Sequence, residues 1–502
     1  MNARKLIPAL LATLSLAAVH LLQSGLNRDR DALGLTRRAV LENAPPVLAF
    51  TTVALGGFRG LIANALWIRT SELQEDGKYF EAVQLADWIT KLQPTFSTVW
   101  VHLAWNMGYN ISVKFPDPED RWLWVQRSIE LLRDEGLKYN PHDIGIHSEL
   151  ARHFHHKMGA NLDDAHLVYK GHWADEMQTA LGGGRPDYAE LLHPSTDATR
   201  ERVRLLRERY KLEPALMKEV DDTYGPLEWR LPETQAIYWA THGLKSARGA
   251  GDILMLRRLI FQPMMMAFQR GRLISDPFSK LIEFGPNLEI IPKVSQAYLD
   301  QINAEAEEGN KEHFGKAHRN FLKDAVYFLY THGREREAQQ WFTYIRRNYT
   351  NTGIQDGWNL DDYCISRVSE DVTETSKDRV EAIVQGMLAS GYYSLAVGDD
   401  DKSTALLNFA AKIHASFMAK VAGLRSSRVR VPLTPLDKMK LEVLEQMLRP
   451  ADDVNPQFQA ALRTQLRLPA NFGIPATNAP APGPRTNTPA AGPAPRPPRA
   501  PG

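Results

Sequence analysis

Histidine, carboxylate and tryptophan are the residue types here that invite a chemical reading, and each is unevenly spread along the chain. Seven of the 15 histidines, His142, His147, His153, His155, His156, His166 and His172, fall between positions 142 and 172. A metal ion needs three or four such rings to converge, with further groups orienting them. His153 and His156 share a helix face at i, i+3, but no HExxH pattern accompanies them and the seven span two expected helices and a loop. The expectation is packing and hydrogen bonding between helices, with no metal and no cofactor. Asp117, Glu119 and Asp120 have the composition of a cation loop without its glycine or its terminal bidentate glutamate. Gly182-Gly183-Gly184 leads into Arg185-Pro186, not into the Gly-Lys-Ser/Thr of a phosphate loop. The sequence contains no GxSxG elbow. Glu149, Asp163 and Asp164 are available for a paired acid–base mechanism on a polysaccharide, but nothing in their spacing selects them. The single cysteine, Cys364, has no nucleophile signature around it and allows no intramolecular disulfide.

Six of the 11 tryptophans, Trp67, Trp88, Trp100, Trp105, Trp122 and Trp124, lie within 58 residues. Aromatic faces with an N–H handle suit peptide or carbohydrate binding as well as core packing. Trp67, Trp88 and Trp100 fall at or beside helix-packing positions, so core packing is expected of them. Trp105, followed by Asn106 and close to Asn110, is with them the candidate for a partner-binding groove.

The elements that must position these residues are helices. Helical periodicity covers most of the chain, and alternating strands bounded by hairpin turns are nearly absent. The helices also repeat. From Leu66 and Trp67 the sequence reads LWIRTSELQEDGKYFEAVQLADWITKLQP, with Gly77 at an inter-helix turn and Tyr79 and Ala82 entering a second helix. Ala86 and Ile89 continue its packing face and Pro94 closes it. This resembles the tetratricopeptide repeat (TPR), a 34-residue helical hairpin, and Trp100 opens the next unit at the expected spacing. That unit is interrupted by ISVKFPDPEDR, whose prolines are expected to form a loop before Trp122 restarts the helix. Leu150, Ala151, Phe154, Gly159 and Ala165 suggest a third hairpin. A later one reads FLKDAVYFLYTHGREREAQQWFTYI, with Gly333 at the turn and Ala338 and Phe342 in its second helix. Another runs from Val380 through Gly398 to Phe409. Gly57-Phe58-Arg59-Gly60-Leu61 ahead of Leu66-Trp67 is similar to the opening of bacterial membrane-anchored TPR proteins.

That resemblance implies an all-α chain: an N-terminal transmembrane helix, a TPR-like α-solenoid of degenerate hairpins and a Pro-rich tail. Behind Arg4 and Lys5, the 22 residues Leu6 to Asn27 carry no formal charge, enough at about 1.5 Å per residue to cross a bilayer core. A poor cleavage site follows, so retention as a single-pass signal anchor is expected, with the body on the periplasmic side of a bacterial inner membrane. Asn43 to Phe58 is a second uncharged run, too short to span, read as a membrane-proximal buried helix or an interfacial one. The expected divisions are 1–27 for the anchor, 28–181 for the membrane-proximal segment and first array, 182–286 for a helical middle region and 287–470 for a second array. Residues 471–502 hold ten of the 31 prolines and form an expected disordered tail. With 60 basic and 59 acidic residues, the near-neutral chain gives no reason to expect nucleic acid. The function implied is that of a scaffold or adaptor, not an enzyme, that holds a protein or peptide partner. A helical-toroid enzyme acting on envelope polysaccharide and a structural assembly subunit are the alternatives.

Overall fold

A computed structural model describes residues 58–246, 253–275, 282–305, 307–369, 377–423, 433–449 and 455–472, with scattered helical positions between 14 and 29. The described residues are overwhelmingly helical, and the all-α expectation needs one amendment, a single antiparallel β-hairpin. No described helix is long and apolar enough to cross a membrane. Most of the proposed anchor, together with Asn43–Gly57 and the tail from 473, lies outside the described residues. The chain divides into two compact units, Met1–Ser275 with Ile282–Leu322, and Asp276–Leu281 with Lys323–Gly502. Neither Gly182 nor Pro286 separates these units.

In the first unit, α1 (Phe58–Glu75) and α2 (Tyr79–Leu92) form the hairpin read from the sequence. Gly77 sits at φ 73°, a conformation that costs glycine little and an L side chain much more. Ala82, Ala86 and Ile89 are buried, and Leu66, Trp67 and Tyr79 are half-buried. The Pro94 carbonyl after α2 accepts from Trp100 Nε1 and Asn140 Nδ2, both at 2.8 Å. Trp88 departs from expectation. It is 54% exposed, because it lies one residue away from the buried Ile89 on α2.

Helices α3 (Ser97–Trp105), α4 (Pro118–Glu130) and α5 (Ile144–Arg152) each run on into a π-helical segment: Asn106–Ile111, Leu131–Gly136 and His153–Gly159. The expected loop over ISVKFPDPEDR shrinks to a few residues. A 3₁₀ turn carries the chain to Lys114, and α4 starts at Pro118, where a missing N–H costs nothing. The Asp117 carboxylate caps that helix through Glu119 N at 3.0 Å. Then follow α6 (His166–Leu181), α7 (Tyr188–Leu192), α8 (Asp197–Glu208) and α9 (Pro214–Tyr224).

The centre of this unit is α10 (Pro232–Ser246), which packs on α5, on the third π segment and on α11 (Ile253–Arg270). Every residue from Pro232 to Thr241 is buried, the mark of a helix enclosed on all sides. Beyond α11, β1 (Arg272–Ser275) pairs antiparallel with β2 (Ile282–Gly285), and α12 (Ile291–Ala304) leads to α13 (Glu308–Thr331).

In the second unit, Gly333 at φ 77° links α13 to α14 (Glu335–Asn348), with Ala325, Leu329, Ala338, Phe342 and Ile345 buried. After α15 (Leu360–Ser369), α16 (Lys377–Ala396) and α17 (Asp400–Gly423) pack along their length around the Gly398 turn. The short helices α18 (Leu436–Leu448) and α19 (Pro456–Gln465) close on α16.

Candidate functional site

The π segments set the site. A π turn is wider than an α turn and is found often at functional positions. Here it follows α3 directly, and Trp105 and Tyr109, four residues apart, stack with ring centroids 6.4 Å apart and 22° between planes. The row extends both ways. His102 lies 6.3 Å from Trp105 and 5.0 Å from Trp67, and Tyr109 lies 5.8 Å from His156 and 5.3 Å from His153. Trp67, His102, Trp105 and Tyr109 are half-buried and His156 is exposed, so the row forms an aromatic strip with one face accessible.

Polar groups line this strip. His102 Nε2 meets Gln74 Oε1, an oxygen that only accepts, so Nε2 is the donor. Its Nδ1 is left as a buried acceptor with no hydrogen-bond partner. Burial lowers the His102 pKa, which keeps that ring neutral. The Arg152 guanidinium lies 4.7 Å from the Tyr109 ring centroid, and Lys157 Nζ is 5.4 Å from it. Burial raises the Tyr109 phenol above its ordinary value, Arg152 pulling the other way, so the phenol stays a neutral donor and acceptor.

Of the residues singled out from the sequence, Trp105 and Asn110 reach this half-buried surface. Asn106 lies beneath it, 1% exposed, and its Oδ1 accepts from Asn110 Nδ2 at 2.9 Å, so it orients Asn110 from below. Under the strip, Gly108 faces His153, whose Nδ1 is 2.9 Å from the Glu149 carbonyl and whose Nε2 is 3.3 Å from the Ala104 carbonyl.

The three candidate carboxylates are held in ion pairs. Arg152 grips Glu149 through two hydrogen bonds of 2.6 and 2.8 Å. Burial pushes the Glu149 carboxyl upward, but His153 and Arg152 outweigh it and hold it at about 2. Asp163 pairs with the buried Lys157 and accepts from Tyr169 and the Ala165 N–H. Arg121 bridges Asp163 and the exposed Asp164. Of the remaining histidines of that stretch, His142 meets the Ser246 carbonyl, His147 meets His242, His166 meets Lys170 and His172 meets Glu119, whereas the buried His155 Nδ1 has no hydrogen-bond partner. Among the described residues no group of His, Cys, Asp and Glu could hold a metal ion.

The sequence reading missed a second buried polar group. Lys170 and Glu233, each 2% exposed, flank Arg270, which binds Asn161 Oδ1 at 2.7 Å and the Gly159 carbonyl at 2.6 Å. Burial lowers the Lys170 ammonium to about 8 against the pull of Glu233, and raises the Glu233 carboxyl. Through Asn161, Gly159 and His166 this group holds the 159–166 loop. Only Glu233 within an otherwise buried helix hinted at it. No family model, curated protein or solved structure matches the chain.

Proposed function

We propose that the chain is a membrane-anchored, TPR-like helical scaffold of the bacterial cell envelope, its body periplasmic, whose strip from Trp67 to His156 holds a protein or peptide partner. The observation that carries this reading is the strip itself: half-exposed aromatic rings backed by buried hydrogen bonds, with Gln74, Asn110 and Arg152 at its margins. Aromatic anchors beside Arg and amide groups are what protein interfaces use to bind. The hairpins with glycine at Gly77, Gly333 and Gly398 support the repeat reading. The enzyme alternative is weaker, because Glu149, Asp163 and Asp164 are tied to Arg152, Lys157 and Arg121 and Glu149 stays ionised, unsuited to donating a proton.

The test places a photo-crosslinking amino acid at Trp105 in the full chain within cells, and at Trp88 as an exposed control. A discrete adduct from 105 alone, lost in a folded Asn110→Ala variant, supports the groove. Adducts identical from both positions would remove it.

A further inference from the structure

We infer that the first three turns of α1 lie in the headgroup region of a lipid bilayer, which makes this helix a second membrane contact after the anchor. The inference rests on the reading of the chain as membrane-anchored and adds to it where the folded body meets the lipid. Phe58, Leu61, Ile62 and Ile68 are 69%, 65%, 36% and 62% exposed, and Ala65 is exposed between them. Their spacing, i, i+3, i+4, i+7 and i+10, puts all five on one face of the helix. The opposite face, Ala63, Thr70 and Leu73, is buried, with α2 packed along the helix. The exposed stripe is therefore not a poorly packed core. It is a second apolar face on a helix that already has its partner, and soluble surfaces seldom keep such a stripe uncovered.

Lipid, not protein, is the occupant because of where the stripe begins and ends. It begins at Phe58, the last residue of the uncharged run from Asn43, so apolar chain leads into it without a break. Further upstream, the described helical positions of the proposed anchor also expose their apolar side chains: Leu14, Val19, Leu22 and Leu26. The stripe ends where a bilayer interface would require. Trp67 and Arg69 stand at its far end, the residue types that mark the water boundary, and the exposed Arg69–Glu72 pair and Glu75 follow in solvent. Arg59 is the only charge between Phe58 and Ile68. The helix is thus graded along its length, apolar towards the anchor and charged away from it.

The experiment uses the full chain with an environment-sensitive fluorophore on Leu61→Cys, Ile68→Cys or, as control, Glu75→Cys. The native Cys364 is buried and does not compete for label. Each protein is reconstituted into vesicles of zwitterionic and anionic phospholipid, washed with alkaline carbonate and floated. The expected result is loss of emission at 61 and 68 with a quencher carried on lipid chains, little loss there with aqueous iodide, and the reverse at 75. If the protein floats but 61 and 68 respond to iodide as 75 does, the stripe faces water and the inference fails while the anchor stands. Shielding of 61 and 68 from both quenchers would mean that protein covers the stripe, which also overturns it. If carbonate strips the protein from the vesicles, the anchored reading fails first and this one with it.

Discussion

Replacing Gly108 by alanine tests the architecture beneath the aromatic strip directly. A Cβ at this position would lie 2.7 Å from His153 Nε2, 3.1 Å from His153 Cδ2 and 3.2 Å from Ser128 Oγ. His153 has no room to withdraw, since it is fully buried and fixed between the Glu149 and Ala104 carbonyls. Overpacking of this kind costs about 1–3 kcal/mol. Against it stands the ordinary advantage of alanine over glycine in helical backbone, about 0.5–1 kcal/mol. The net expectation is a loss of up to roughly 2.5 kcal/mol from the first unit, centred on about 1 kcal/mol. In a His153→Ala background the two nearest contacts vanish and only the rotatable Ser128 hydroxyl remains. There, Gly108→Ala should be neutral, or stabilising by up to about 1 kcal/mol. Because the chain has two units, a single global melting curve is a poor assay. Hydrogen exchange of the amides in α3 and its π segment under increasing guanidinium reads the relevant unit. An equal cost of Gly108→Ala in both backgrounds would refute the contact and the reasoning built on it.

Three further expectations follow from the same geometry. Burial holds His147, His155 and His318 at about 4, below the 6.5 of an unfolded chain, so between those values only the unfolded state takes up their protons. Stability of the first unit is therefore full above about pH 6.5 and is lost towards pH 4, by up to about 1.4 kcal/mol per group per pH unit. The guanidinium midpoint should fall between about pH 7 and pH 5, a window above that of Glu149, whose contribution is lost only below its unfolded value near 4.5. In the second unit, Gly333→Ala should destabilise by about 1–3 kcal/mol, since φ is 77° and the new Cβ would sit 3.0 Å from the Asp401 carbonyl oxygen. Gly386→Ala, in mid-helix with nothing within 4 Å, should instead stabilise by about 0.5–1 kcal/mol, and denaturant midpoints distinguish the two. Cys364 is fully buried and its thiol is raised by burial, so an aromatic disulfide reagent at about pH 8 should react only after denaturant opens the unit. Rapid reaction of the native chain would contradict that placement.

The legible parts of the fold are those written in side-chain size at fixed spacing. Gly77, Ala82 and Ala86 encode the first hairpin because small residues at a crossing and a glycine at φ 73° leave little choice of structure. The π segments were not legible. Asn106–Ile111 and His153–Gly159 carry no sequence mark that tells a π turn from an α turn, and the close approach of Gly108 to His153 exists only in the folded chain. The β-hairpin at 272–285 is too short for alternation to show. Of the candidate strip, Trp105 and Asn110 are the residues that the sequence singles out. Tyr109, with two cations over its ring, could not, since Arg152 and Lys157 reach it only through folding.

The enclosed position of α10 also has a consequence in time. The ring of His147 on α5 is 2.9 Å from that of His242, and Gly243 leaves space for the His147 side chain, although these partners are made 95 residues apart. During synthesis, then, the inner face of α5 and its π segment stays bare until residues 232–246 have emerged. The α1–α2 hairpin, whose helices are joined by three residues, can form at once. Each new chain therefore passes through an interval in which the α1–α2 hairpin is finished and the packing of α5 is not. A ribosome stalled near Leu181 would hold an unfinished domain with its apolar face open to chaperones and proteases.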